Sequence, residues 1–171
     1  MQSQLIIRHA NASDLPAILG IYNHAIINTT AVYQEDVHTL PMREQWFADK
    51  LKLGHPVFVA EFNGTVVGFS TYGPFRNWPG YRFTVEHSVY VHINARGKGI
   101  GKLLVQAVIS HARNKGMHAL IAGVDSASDG SLGLHRSLGF VEVAHFKQVG
   151  FKFNRWLDLK FLELILDGKN I

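Results

Sequence analysis

Cysteine is missing from all 171 positions of the chain. Disulfides, thiolate metal ligands and a cysteine nucleophile are thereby excluded. Long apolar runs are missing too, since none approaches the roughly 18 residues that a membrane-spanning helix needs. The opening Met1-Gln2-Ser3-Gln4 lacks the basic-then-apolar order of a secretory signal. A cytoplasmic protein with no membrane partner is the expectation. No linker, repeat or low-complexity tract interrupts the chain, so residues 1–171 are expected to form one domain. Charge of one sign is only mildly in excess, with 17 Lys and Arg against 13 Asp and Glu and a formal net charge of +4. There is no polybasic tail, and basic residues are not interleaved with aromatics along any one element. Nucleic acid is therefore not an expected partner, and a compact anionic ligand explains the charge as well.

What is present is core material: 47% of the residues are hydrophobic. A chain of this length buries about 70% of its unfolded surface. A short strand, Leu5 to Arg8, leads into a helix from about Asp14 to Ile27 that Asn11 or Ser13 can cap, with Ile18, Ile21, Tyr22, Ala25 and Ile26 as its apolar stripe. Residues 28–40 read as loop, and Pro41 suits the first turn of a helix reaching about Leu53. Val57–Phe62 and Thr65–Ser70 flank Asn63-Gly64, the pair that two-residue hairpin turns favour. A loop rich in Gly, Pro and aromatics (Gly73 to Tyr81) precedes a strand from Phe83 to His92. Leu103, Leu104, Ala107, Val108, His111 and Ala112 mark a helix that ends near Gly116. His118–Val124 reads as strand, Asp129–Leu138 as a short helix stopped by Gly139, and Val141 to about Leu166 as mostly strand. The order βααβββαβαββ, with one strand–glycine turn–helix–strand unit, predicts an α/β domain whose mixed, mostly antiparallel sheet is flanked by helices.

The turn Arg96-Gly97-Lys98-Gly99-Ile100-Gly101 joins the 83–92 strand to the Leu103 helix. Three residues without Cβ let backbone N–H groups converge on an anion at a helix N-terminus, while Arg96, Lys98 and Lys102 supply countercharge. It is not a Walker loop, because three residues rather than four separate Gly97 from Gly101 and Leu103 follows Lys102. Nor is it a dinucleotide fingerprint, because position 104 is Leu where Gly or Ala is required, and the turn lies past the middle of the chain.

The turn and the element order around it resemble the GCN5-related N-acetyltransferase family, whose signature is Arg/Gln-x-x-Gly-x-Gly/Ala between a strand and a helix. Within that family the phosphinothricin and methionine sulfoximine N-acetyltransferases are similar at Ile21-Tyr22-Asn23, at Thr84-Val85-Glu86-His87-Ser88-Val89-Tyr90-Val91 and at Leu134-His135-Arg136-Ser137-Leu138-Gly139-Phe140. The resemblance implies acetyl-CoA as acetyl donor, with its pyrophosphate on the backbone amides of residues 98 to 102. Its pantetheine arm would lie along Ser88, Val89, Tyr90 and Val91, where the sheet splays. It also implies a homodimer and a small amine as acceptor. The family often places Asn three residues before the Ser or Ala that opens the later helix. Here that position is Ser128, which reaches less far.

Making an amide from a thioester requires an uncharged amine, a polarised carbonyl and a proton for the leaving thiolate. Glu86, an acid within an apolar and aromatic strand, is the candidate general base, and by resemblance it takes the amine proton through water. An outward-facing Glu86 paired with Arg76 or Arg82 is the other reading. His87 faces away from Glu86 in regular strand geometry and joins it at the site only if a bulge intervenes. A backbone N–H near Val89 would polarise the carbonyl. His135 stands in the region where relatives carry a tyrosine that protonates the thiolate, or it is simply a helix-surface histidine. For the acceptor, Phe75, Arg76, Asn77 and Arg82 offer guanidinium and aromatic contacts to a small anionic amino acid, with Val85 beside them and Tyr33 as an aromatic wall. No metal is expected, because His87 and His92 would point to opposite sides of a regular strand. The other readings are an enzyme acting on a protein amino terminus or a polyamine, and a non-catalytic acyl-CoA-binding protein.

Overall fold

A computed structural model describes residues 4–166. Its elements are β1 (Leu5–His9), α1 (Leu15–Asn28), α2 (Leu40–Lys52), β2 (Val57–Phe62), β3 (Thr65–Pro74), β4 (Thr84–Val91), α3 (Ile100–Asn114), β5 (Ala119–Asp125), α4 (Asp129–Ser137), β6 (Val141–Lys152) and β7 (Arg155–Ile165). This is the order βααβββαβαββ read from the sequence, and it builds a seven-stranded sheet in the order β1-β2-β3-β4-β5-β7-β6. Every neighbouring pair is antiparallel except β4 and β5.

Local chemistry sets most of these boundaries. Asn63 and Gly64 take φ of 49° and 80°, the left-handed pair that the β2–β3 turn demands. β3 runs past the expected Ser70 to Pro74 because β4 pairs with it through Pro74↔Val85. A proline is tolerated there because β2 has already ended at Val57↔Thr71, leaving that edge of β3 free. The β6–β7 turn falls at Phe153 and Asn154, both at positive φ (51° and 56°), in a sequence without glycine to announce it.

Two cores lie on opposite faces of the sheet. Leu104, Val105, Val108 and Ala112 of α3 and Leu132 of α4 pack on Val85, Leu120, Ala122 and Leu162. Leu15, Ile18 and Ile21 of α1 and Phe47 of α2 pack on Val57, Val59 and Phe69. Among the described residues no helix is long and apolar enough to cross a membrane.

The parallel β4–β5 pair decides where a ligand can enter. Its register stops at His87↔Ala122, although β4 continues to Val91 and β5 to Asp125. Thr84 O accepts from Phe75 N–H on the β3 side, whereas Phe83 O accepts from His118 N–H on the β5 side. By strand alternation the backbone groups of Val85, His87, Val89 and Val91 face β5. Past His87 the strands fork, and those of Val89 and Val91 face the opening.

Candidate active site

A cavity of about 750 Å³ occupies the fork. Its walls bring together Val89, Tyr90 and Val91 of β4, Arg96, Gly97, Gly99, Ile100, Gly101 and Lys102 of the glycine turn, and Ser128 ahead of α4. Gly97 and Gly99 have φ of 74° and 76°, which a side chain would strain. The first intrahelical bond of α3 is Leu103 N–H to Gly99 O, so the amides of Ile100, Gly101 and Lys102 have no partner within the helix. Donors at the positive end of a helix dipole fit a diphosphate. Gly101 has a separate reason to be glycine: a Cβ there would stand 3.0 Å from Leu134 Cδ1 of α4.

Two residues expected at the cofactor do not reach this cavity with their side chains. Lys98 turns its ammonium to 5.6 Å from the Phe62 ring, and Ser88 lies on the sheet face of α1 and α2 beside Glu86 and Tyr90. Arg96 folds back so that its Nε donates to Val91 O at 3.2 Å. The sequence reading missed the opposite wall, formed by Thr29, Thr30 and Ala31 after α1 and by Gly130, Ser131, Gly133, Leu134 and Ser137 of α4. Small and hydroxyl residues in an irregular segment carry no periodic signal, and only the fold shows that they line a groove.

The similarity at Ile21-Tyr22-Asn23 acquires a structural content. Asn23 clamps the α1–α2 connection, donating from Nδ2 to His38 O and accepting His38 N–H, both at 2.9 Å. Tyr22 stacks under the Arg43 guanidinium, 4.1 Å from its ring centre, and meets Tyr90 edge-on at 5.3 Å.

Glu86 and His87 lie on opposite faces of a β4 that has no bulge. Glu86 is half-buried, and a Cβ on Gly123 would stand 3.0 Å from its Oε1 and 3.2 Å from Phe161 Cε1. Burial raises its pKa above the ordinary carboxylate value. It makes no ion pair with Arg76 or Arg82. Arg82 stacks on Phe83 at 4.6 Å and donates to Pro79 O, and Arg76 is exposed, 5.4 Å from the centre of the Phe75 ring. Phe75 packs on Phe161, which packs on Phe146, with centroids 5.9 and 5.7 Å apart. Glu86 thus stands beside an aromatic wall drawn from the 75–82 loop and from β6 and β7. Gly123, Phe146 and Phe161 are additions that no sequence spacing indicated. Asn77 is exposed in the same loop, and Val85 is buried on the other face of the sheet, in the core. The Tyr33 ring lies directly on Gly150, and its hydroxyl donates to Asp158 O at 3.0 Å.

Two expectations are corrected here. His87 is 5% exposed and packs on Phe140 and His135, so it is a core residue and not an acceptor contact. The regular strand alternation that separates it from Glu86 is the reason. His135 is 2% exposed, and neither ring nitrogen is free to meet a thiolate. Its Nδ1 lies 2.7 Å from Ser131 O and must donate, so its Nε2 accepts from His87 Nε2–H across 3.0 Å. Burial lowers the pKa of both imidazoles, that of His87 to about 3 with His135 adding to the effect. The pair is a neutral strut joining β4 to α4 where the fork begins.

Comparison with known proteins agrees with this architecture. A model of the acetyltransferase (GNAT) family matches residues 19–140. The L-methionine sulfoximine/L-methionine sulfone acetyltransferase of Pseudomonas aeruginosa is 48% identical over 162 residues, covering 94% of each chain. Among solved structures, the Salmonella typhimurium protein yncA with its cofactor acetyl-CoA superposes with a TM-score of 0.95 at 44% identity, over 98% of this chain and 96% of that one. The ribosomal-protein-alanine N-acetyltransferase of Brucella melitensis gives a TM-score of 0.93 at 50% identity, over 94% of this chain and 99% of that one.

Proposed function

The chain belongs to the acetyltransferase (GNAT) family, and from that premise we propose that it transfers the acetyl group of acetyl-CoA to the α-amine of a small amino acid analogue of the methionine sulfoximine, methionine sulfone or phosphinothricin type. One observation carries the reading: a single cavity joins the unpaired amides of the glycine turn to the open backbone of Val89, on the strand that also holds Glu86. The diphosphate sits on the amides of residues 98 to 102, and the pantetheine arm follows Val89 to Val91 in the fork.

Glu86 removes a proton from the acceptor ammonium, through water. A carboxylate whose pKa is raised by burial is a better base near neutral pH than an ordinary one. The freed nitrogen attacks the thioester carbonyl, whose oxygen develops negative charge against the Val89 N–H. The nitrogen, cationic after attack, gives up its second proton to water, and collapse then forms the amide and breaks the C–S bond. The thiolate, with a thiol pKa near 8.5, takes its proton from solvent because His135 is enclosed. Arg76 and Arg82 meet the acceptor's anionic groups, and Phe75, Phe146 and Phe161 receive its side chain.

The Brucella melitensis relative raises a second reading, an acceptor that is a protein amino terminus. The 75–82 loop favours the small anion, since Arg76 is exposed next to Glu86's aromatic wall without a carboxylate partner among the described residues. A thiol-release assay with acetyl-CoA separates the two, using methionine sulfone, methionine sulfoximine, phosphinothricin, spermidine and an alanyl peptide. Turnover of the amino acid analogues at least tenfold above the peptide and the polyamine is expected, and the reverse order discards the proposal. The homodimer implied by the resemblance has an apolar surface available in the exposed Val149, Phe151 and Trp156 of the β6–β7 hairpin.

A further inference from the structure

Lys152 has no part in the chemistry proposed for the site, yet it is 1% exposed and among the most deeply buried side chains of the protein. An ammonium in that position is unfavourable unless its protons are bonded and its charge is offset. Among the described residues no carboxylate pairs with it. Its Nζ instead donates to two backbone carbonyls, Thr29 O at 2.8 Å and Val32 O at 2.7 Å. Burial lowers its pKa, opposed in part by Glu35, and even the neutral amine would keep two protons for these bonds.

Those two carbonyls bracket Thr30 and Ala31, which with Thr29 form one wall of the fork cavity. The segment has no regular structure to hold it. Its other bonds are Thr29 N–H and Thr29 Oγ1–H to Ala25 O, at the end of α1, and Ala31 N–H to Thr29 Oγ1. The other tie is Tyr33, whose hydroxyl bonds Asp158 O and whose ring occupies the space above Gly150, where any Cβ would collide. Both anchors come from the β6–β7 hairpin, beyond β5 and away from the glycine turn. The groove therefore has one wall whose position is set by residues that do not line it.

We propose that Lys152 is a positioning residue for the acyl donor: by bonding the carbonyls of Thr29 and Val32 it holds the 29–32 segment as a wall of the coenzyme groove, so that the hairpin sets coenzyme affinity without touching the coenzyme. The inference rests on the acyl-CoA reading of that groove. Its test uses the full chain, comparing wild type with Lys152→Met, which retains an unbranched apolar stem but no donor, and with Lys152→Arg, which retains donors. Calorimetry with acetyl-CoA should give a Kd at least tenfold weaker for Lys152→Met, with partial recovery in Lys152→Arg. Meanwhile kcat at saturating acetyl-CoA and the acceptor KM should stay within twofold. A merely structural role would reduce the active fraction, lowering kcat and leaving Kd alone, and a Kd within twofold of wild type overturns the inference. If Lys152→Met does not fold, hydrogen exchange on the wild type decides. The Lys152 ammonium protons, held by Thr29 O and Val32 O, should exchange slowly enough to give a resolved NMR signal, and exchange at the rate of an exposed lysine refutes the latch. Failure of wild type itself to bind acetyl-CoA would instead remove the donor assignment.

Discussion

The His87–His135 strut makes a quantitative demand on stability. With His135 Nδ1–H given to Ser131 O and His87 Nε2–H given to His135 Nε2, the only site left for a further proton on His87 is Nδ1. That atom is buried with no hydrogen-bond partner. Protonating His135 at Nε2 would set two N–H groups against each other. The folded state therefore keeps both rings neutral, with His87 held near pKa 3, whereas in the unfolded chain each titrates near 6.5. Below pH 6.5 the unfolded state binds more protons, so stability falls with falling pH, by about 1.4 kcal/mol per pH unit for His87, until its folded pKa is reached. Between pH 7.5 and 5.0 His87 alone should remove about 2 kcal/mol, or roughly 4–8 °C in Tm for a chain of this size. His135 adds to the effect in the same direction. That window lies above the ordinary carboxylate pKa values of about 4, but other buried histidines also contribute, so the measurement is a difference. Urea midpoints of wild type and of His87→Leu/His135→Leu are compared at pH 7.5 and pH 5.0. Repacking shifts the double variant by an amount that does not depend on pH. The wild type should lose at least about 2 kcal/mol relative to it on acidification. An equal gap at the two pH values would refute the neutral strut and the proton assignment behind it.

Other consequences concern the acceptor side. Glu86→Gln should lower kcat by about 10²–10⁴ while raising Tm at neutral pH, because the fold favours the protonated carboxyl and the amide removes an ionised form the fold disfavours. An unchanged rate at pH 7 discards Glu86 as base. Gly123→Ala should cut kcat about ten- to hundredfold with little change in the acetyl-CoA KM, since its Cβ would stand 3.0 Å from Glu86 Oε1 and must displace the carboxyl. Wild-type kcat in that variant would mean the carboxyl position is not critical. Arg76→Ala should raise the acceptor KM about tenfold or more, the scale of a lost charge-assisted hydrogen bond, and leave the acetyl-CoA KM alone. Equal rises in both constants would remove Arg76 from the acceptor site.

Periodicity and turn chemistry made most of the element order legible. The 3.6-residue stripe of α1, the Asn63-Gly64 turn and the glycine stop after α4 are local statements, and local sterics enforce them whatever surrounds them. The β6–β7 turn escaped notice because its positive-φ residues are Phe153 and Asn154. The Arg96–Gly101 turn was readable for the same local reason: the left-handed backbone at Gly97 and Gly99 favours glycine. Glu86 stood out as a charge in an apolar strand, but its neighbours Gly123 and Phe161 come from β5 and β7, with no spacing relation to it.

What the chain determines by itself is thus the run of elements and the kinds of chemical group it carries, because backbone strain and side-chain periodicity are set within a few positions. Tertiary structure decided which face each residue serves. Strand pairing that ends at His87↔Ala122 opened the fork, and unbroken alternation in β4 sent Glu86 toward the aromatic wall and His87 into the core. Lys152 acquired its role only when β6 was laid across a segment 123 residues earlier in the chain. Burial, and with it the protonation state of each of these groups, depends on how distant segments stack, which no local pattern encodes.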